Sequence, residues 1–595
     1  MNVGWIDLTV IITYLVAIVA LGCWAGMRGR RGKVEAKGYF LAGGSLTWPV
    51  IGLALFSTNI STIHIVSFAQ EGYVNGLAYG NFEWMAPFTL IITALFFAPF
   101  YIRARVATLP DFLEMRYNRP CRDWLAILSI VAAVFIHIGF SLYTGALVLK
   151  SMLGINLMVS IVTTAVLTGV YTIIGGLMAV VVTESIQTVV LLAGALVLTA
   201  IAYWRVDGFA GIHETLATSH DLVKLTVLRG ADDPSNLPWY SVLLGYPVIG
   251  IWYWCADQTI VQRILGAKDE QHARVGPLFA GFLKILPVFI FVLPGLMCYT
   301  LVQQGKLDPS KIDNLAIGKE VELDGRVVPV RPGRQELRGA SLNAAGKEFA
   351  IRDKDVYVQD GVLYIDGNAK KDTQAIYSFM ISQLLPVGLK GLIAAALLAA
   401  LMSTVSGALN SIATLFSYDI VRRWRPRTSD HQLVVIGRIT TFVAMLAAIA
   451  WSPYIAHFRS IFQGITSLIC YIAPPITTVF LWGVFWRRAS GLAAQMTLYL
   501  GSALGMAAFL LEWFKVPWWN VPPMMATFYL LIVCSVILVL VSAVYPHQHT
   551  KESAKLVWHD LRSVLRTPGW RGVGNYKFLA VLLAATMVAL YVIFA

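Results

Sequence analysis

Runs of about twenty apolar residues recur from one end of this chain to the other, and each is long enough to cross a bilayer's hydrocarbon core as a helix. About fourteen can be counted, at 5-27, 45-70, 80-102, 123-152, 157-180, 181-204, 239-263, 276-303, 375-421, 432-451, 460-486, 491-513, 523-545 and 576-595. Soluble domains are about a quarter charged, whereas this chain is 13% charged and 57% hydrophobic. The expected fold class is an all-α polytopic membrane protein.

The first run does not fit a cleaved leader, because its positive cluster MRGRRGK (27-33) follows the apolar stretch and Asp7 precedes it. The positive-inside rule makes that cluster cytoplasmic and puts the N-terminus outside. Alternation then places 28-37, 103-122, 263-274, 422-427, 487-488 and 551-577 inside. Those segments hold 25 Lys and Arg, against five (Arg205, Lys224, Arg229, Arg459 and Lys515) in the short outside loops. The same asymmetry accounts for the net charge of +13, so no nucleic-acid partner is called for. None of the six cysteines pairs in an outside loop, and no structural disulfide is expected. Compact loops and the lack of outside cysteines suggest a multi-pass protein of a bacterial cytoplasmic membrane.

Between 304 and 374 the pattern changes to apolar-polar alternation punctuated by Asp-Gly at 324-325, 360-361 and 366-367, which suits strands joined by tight turns. This reads as a small extracellular β-rich insert with about 12 Lys and Arg, which the positive-inside rule disregards in a long loop. A lid or stabilising role fits it better than a second binding site.

Polar groups inside the spans are costly unless paired or facing an aqueous cavity. The segment LFSTNISTIH (55-64) packs six polar residues into ten. Others are Glu83 in GNFEWMAP, Glu184 in VTESIQT, and Tyr253, Trp254, Asp257 and Gln258 in YWCADQ. Lys284 in GFLKILP, Ser403, Thr404, Ser406 and Asn410 in MSTVSGALNS, and Gln463 in FQGITS complete the set. Ser403 and Thr404 could equally bond the preceding helical turn. Glu83 and Lys284 could be a mutual salt bridge, and Asp257 a gate charge or a solvated helix end. Together they favour a polar substrate cavity: amide, imidazole, carboxylate and ammonium groups suit sugar hydroxyls, and aromatic faces suit the C–H side of the ring. Hydroxyls and the carbonyls of a broken helix would hold sodium, a hard cation.

These stretches resemble the sodium:solute symporter family, in its sodium/glucose cotransporter branch. The motifs that carry the likeness are YFLAGGSLTWPVIGLALFSTNIST (39-62), YIRARVATLPDFLEMRY (101-117), YTIIGGLMAVVVTESIQT (171-188), YWCADQTIVQRILGAKD (253-269), ALNSIATLFSYDI (408-420) and APPITTVFLWGVFWRR (473-488). The resemblance implies a LeuT-type core of two inverted five-helix repeats, 45-204 and 239-486. An extra helix (1-44) precedes it, an extracellular loop (205-238) divides it, and three helices (487-595) follow. It also implies that each repeat's first helix is unwound: the second at Gly245, Pro247 and Gly250, the first at the polar run.

Carried over position by position, the resemblance implies a sodium site from the carbonyls of Ser57, Ile60 and Ala400 with the hydroxyls of Ser403 and Thr404. The implied sugar site is Asn59, His64, Glu83, Tyr253, Trp254, Lys284 and Gln463. Asp257 and Gln258 fall near the inner gate. A second sodium site would fall on Glu184 and Ser406, but a longer acid and Gly407 in place of a hydroxyl depart from the family pattern, so one sodium per sugar is expected. The resemblance thus implies sodium-coupled uptake of a monosaccharide by a monomer, with no organic cofactor and no enzymatic activity. Inositol or a sugar acid is the alternative cargo. A sensor or channel is the alternative class, although no large cytoplasmic domain supports it.

Overall fold

The computed structural model describes residues 4–28, 35–233, 235, 237–312, 314, 315, 317, 320–324, 326–331, 333–344, 347–352, 354–457, 461–514, 516, 519, 521–546 and 550–595. Among them, eleven helices are long and apolar enough to cross a membrane, against fourteen expected runs. The difference has a physical origin in three places. Runs 157-180 and 181-204 are one continuous helix, Leu157–Arg205, kinked at Gly176 (φ 61°, ψ −154°). Glycine tolerates that backbone, and a Cβ there would lie 2.4 Å from the Tyr39 carbonyl oxygen. Run 45-70 breaks after the short helix Trp48–Asn59, and its second half continues into the helical run Thr62–Ala104. Run 239-263 divides into Trp239–Ile251, a π-helical turn Trp252–Ala256, and Gln258–Leu265. Run 375-421 does not change the count, since Leu389–Leu415 remains one crossing, but it begins with a separate short helix, Ile376–Leu384.

Leu389–Leu415 is the buried axis of the bundle: every residue from Ile393 to Leu415 is buried. Its start is capped from a distant part of the chain. Asp7 Oδ1 accepts the N–H groups of Gly388 and Gly391, each at 2.7 Å, supplying a carboxylate to otherwise unpaired amides at the helix's positive end. The axis packs along Leu157–Arg205, which in turn packs on the first helix, Trp5–Arg28. That second contact is close because both sides are glycine: a Cβ on Gly26 would lie 2.1 Å from Gly175 Cα. Gly22 and Gly26 share one helix face, the spacing that lets membrane helices approach by van der Waals packing.

The insert folds on its own small core. Among the described residues, eight short strands, β1 (Glu320–Leu323), β2 (Arg326–Pro329), β3 (Gln335–Glu336), β4 (Ser341–Ala344), β5 (Lys347–Ala350), β6 (Val356–Gln359), β7 (Val362–Ile365) and β8 (Asn368–Ala369), make two four-stranded antiparallel sheets, ordered β2-β1-β4-β5 and β3-β6-β7-β8. Asp324, Asp360 and Asp366 sit at the hairpin turns with φ of 45°, 50° and 52°, the left-handed conformation that two-residue turns require.

Candidate cation and solute site

The helix Trp48–Asn59 stops because Ile60 and Ser61 are extended (φ/ψ −77/102° and −98/170°). Carbonyls of its last turn therefore lose their helical donors and concentrate partial negative charge at the break. The chain restarts at Thr62 through a cap: His64 Nδ1 accepts the Ser61 N–H at 3.2 Å and lies 3.0 Å from Ser61 Oγ. One nitrogen of the expected sugar ligand His64 thus holds the second half-helix in place.

The buried axis faces this break. Ser403 Oγ donates to the carbonyls of Ser57 (2.8 Å) and Ala400 (3.0 Å), and Thr404 Oγ1 to those of Thr58 (3.2 Å) and Ala400 (3.2 Å). The structure so brings together Ser57, Ala400, Ser403 and Thr404, and adds the Thr58 carbonyl that the sequence reading missed. Ile60 is buried at the first extended residue of the break. A cluster of neutral oxygens at the negative end of a half-helix suits a monovalent hard cation.

Next to it lies a buried polar and aromatic cluster. Lys284 Nζ donates to Glu83 Oε2 at 2.5 Å and to the Asn59 side-chain oxygen, and Lys284 and Glu83 are 1% and 2% exposed. The ammonium stands 5.6 Å from the Trp254 ring centroid and 5.9 Å from that of Phe56, within cation–π range. Tyr253 packs edge-on against Trp254 at 5.1 Å, with its hydroxyl near the Asn59 amide. Asn59, Glu83, Tyr253, Trp254 and Lys284 therefore form one constellation. The mutual salt bridge of Glu83 and Lys284 does form, and it lies within the constellation. Gln463 lies on Ile461–Phe485, but its side chain falls outside the described residues.

The remaining expected residues converge on the short helix Gln258–Leu265, all of whose residues are buried. Asp257 is no solvated helix end: Oδ1 caps this helix by accepting the Thr259 N–H at 2.7 Å, and Oδ2 lies 3.4 Å from His137 Nε2. Gln258 Oε1 accepts the Leu109 N–H at 2.8 Å. Gln262 Nε2 reaches the Phe40 carbonyl (2.9 Å) and Thr414 Oγ1 (2.6 Å). Asp257→Ala is expected to lower stability by about 1 kcal/mol through loss of the cap, while Asp257→Asn retains it; thermal unfolding of the purified variants checks this.

Arg263 corrects the sequence reading more sharply. Counted there as a cytoplasmic loop charge, it is 0% exposed and donates to both oxygens of Glu184, at 2.5 Å and 3.3 Å. Thr58 Oγ1 donates to the same carboxylate at 2.9 Å. A Cβ on Gly407 would fall 2.4 Å from Arg263 Nη2, so the absent side chain at 407 makes room for the guanidinium. Ser406 Oγ bonds back to the Ser403 carbonyl at 3.0 Å. The candidate second sodium position at Glu184 and Ser406 is thus a carboxylate already neutralised by arginine. The signal available in the sequence was chemical: an arginine on a helix holding Asp257 and Gln258 needs an acid at the same depth.

A helical bundle that interrupts a membrane helix at its centre, gathers oxygens there and sets a buried polar-aromatic cluster beside it has the build of a secondary transporter. The family model described as "Sodium:solute symporter family" matches residues 39–310 and 359–501, and the gap falls within the β insert. The chain belongs to the sodium:solute symporter family. It is 33% identical to sodium/glucose cotransporter 4 of Danio rerio over 523 residues, covering 85% of this chain and 72% of that one. It is 32% identical to sodium/myo-inositol cotransporter 2 of Sus scrofa over 521 residues (85% and 70%), and to a sodium/mannose cotransporter of Bos taurus over 522 residues (85% and 79%). Among solved structures, the fold is shared with a Na+-coupled sialic acid symporter, with a TM-score of 0.72 at 20% identity over 92% of this chain and 100% of that one. The protein is a sodium-coupled solute symporter of a polytopic helical membrane class.

Proposed function

We propose that the chain carries a neutral monosaccharide of the glucose or galactose type into the cell together with one sodium ion, by alternating access. The observation that supports this most is the Asn59–Lys284–Glu83 chain beneath Trp254 and Tyr253. It offers a donor, an acceptor and an aromatic face to one bound ring, and it adjoins the helix break that would hold the ion. Sodium bound at Ser57, Ile60, Ala400, Ser403 and Thr404 stabilises the state in which Asn59, at the end of the same half-helix, is set for sugar. That differential affinity is the coupling. An inward step of one charge across 100 mV contributes about 2.3 kcal/mol beyond the concentration gradient.

In this reading the two repeats span 45-204 and 239-486 with the N-terminus outside, the fourteen expected runs counting the broken and kinked helices as crossings. Gln463 completes the sugar site, and His64 contributes through its second nitrogen. Asp257 and Gln258 belong to the inner gate, where Gln258–Leu265 is tied to four neighbouring segments and must shift for release. The protein works as a monomer. The relatives that carry mannose and myo-inositol favour a second reading, the same mechanism with another hexose or a polyol as cargo.

The deciding test is uptake into proteoliposomes of labelled glucose, galactose, mannose and myo-inositol, with an inward sodium gradient against choline. Sodium-driven accumulation of glucose or galactose is expected, and Asn59→Ala should raise the apparent sugar constant by about tenfold, the value of one hydrogen bond. Accumulation of myo-inositol alone would transfer the assignment to the polyol.

A further inference from the structure

We propose that the groove between the end of the helical run Leu389–Trp424 and the start of Asp430–Trp451 binds an anionic phospholipid, its headgroup on Arg425 and Arg427 and an acyl chain along the apolar wall. The two helices are joined by the turn RPRTS (425–429), which leaves a groove of about 1030 Å³. Phe416, Val421, Val435 and Ile436 line its wall, and Arg425, Arg427 and His431 its rim. Trp424 is 77% exposed at the lip, the placing of an aromatic side chain anchored at a membrane–water boundary.

The four arginines of RRWRPR do different things. Arg423 pairs with Asp123 and, at 3.8 Å, with Glu114, and Arg422 lies over the Tyr418 ring at 5.6 Å. Both are occupied by the protein itself. Arg425 and Arg427 are exposed, and among the described residues no carboxylate pairs with either. The neighbouring acid, Asp430, accepts the Ala36 N–H at 3.1 Å. Two free guanidiniums are suited to phosphate oxygens, and basic pockets between membrane helices take acidic headgroups. The apolar wall decides between a lipid and a soluble anion, since inorganic phosphate would gain nothing from Val435 and Ile436.

The test uses the purified full chain and native mass spectrometry during titration with phosphatidylglycerol or phosphatidylcholine. The wild type is expected to retain phosphatidylglycerol preferentially. The Arg425→Gln/Arg427→Gln variant should retain it about tenfold less well. Val435→Trp, which fills the groove without changing charge, should also lose it. Arg571→Gln, an exposed arginine outside the groove, should not, and excess inorganic phosphate should not displace the lipid. Equal retention of both lipids by the wild type would overturn the proposal, as would an equal loss in Arg571→Gln. Retention in Val435→Trp would remove the acyl seat, and displacement by phosphate would reassign the arginines to a soluble anion; either result also refutes it.

Discussion

Arg263→Ala is expected to lower stability by about 3–5 kcal/mol, the usual penalty for stranding one partner of a buried ion pair. Both side chains are 0% exposed, and Arg263 reaches both Glu184 oxygens, so the substitution leaves a buried carboxylate without its counter-charge. Melting of the detergent-purified protein should fall by many degrees, with poor recovery from membranes. Glu184→Gln combined with Arg263→Met should regain most of the loss, because removing both charges leaves nothing unpaired. Gly407→Ala should weaken the same pair from outside it, because its methyl group would occupy the space 2.4 Å from Arg263 Nη2. Melting of Arg263→Ala at the wild-type temperature would show that Glu184 is solvated or protonated, and would reopen its use as a cation ligand. The result bears on function because Thr58 joins this pair to the proposed cation site: its hydroxyl meets Glu184 while its carbonyl meets Thr404.

The parts of the fold legible in the sequence are those governed by local, one-dimensional costs. A run of twenty apolar residues has few alternatives in a chain like this, and Asp-Gly between alternating residues requires a tight turn. The polar run at 55–64 was readable as a functional segment because six polar groups in ten residues cannot all face lipid, and the resemblance supplied the expectation that the helix unwinds there. The same reasoning overcounted uninterrupted crossings, since hydropathy registers length but not the extended pair Ile60–Ser61 or the kink at Gly176. Partnerships distant in sequence were hidden. Arg263 and Glu184 are 79 positions apart, and an arginine beside a basic loop looks like a loop residue until its helix is seen to be buried. His137 offered no signal beyond being a lone histidine in an apolar run, and only its approach to Asp257 gives it a place. The resemblance supplied roles for Asn59, Lys284 and Glu83 that the residues alone left open between a structural ion pair and a solute site. Their geometry joins the two readings in one group.

Ser403→Ala is expected to raise the sodium concentration for half-maximal uptake by roughly 10- to 150-fold, if its hydroxyl gives the ion about 1.5–3 kcal/mol as hydrogen bonds to charged groups do. Thr404→Val, which keeps the shape and removes the oxygen, should act in the same direction. The double variant should abolish sodium dependence, because the carbonyls of Ser57, Thr58 and Ala400 would then face only apolar side chains across the break. Stability should change little by comparison. Each hydroxyl bonds a carbonyl, and losing one such bond costs about 1 kcal/mol. The two readouts therefore separate: a raised sodium constant with recovery of maximal rate at high sodium identifies an ion ligand, whereas a lower melting point with an unchanged sodium constant identifies a packing role. Wild-type activation by sodium should follow a Hill coefficient of about 1, as expected for one bound ion. A value clearly above this, surviving in Ser403→Ala, would place a second ion elsewhere. With Glu184 committed to Arg263, such an ion would have to be held by other oxygens, and the coupling would then rest on two sites instead of the single break at Ile60.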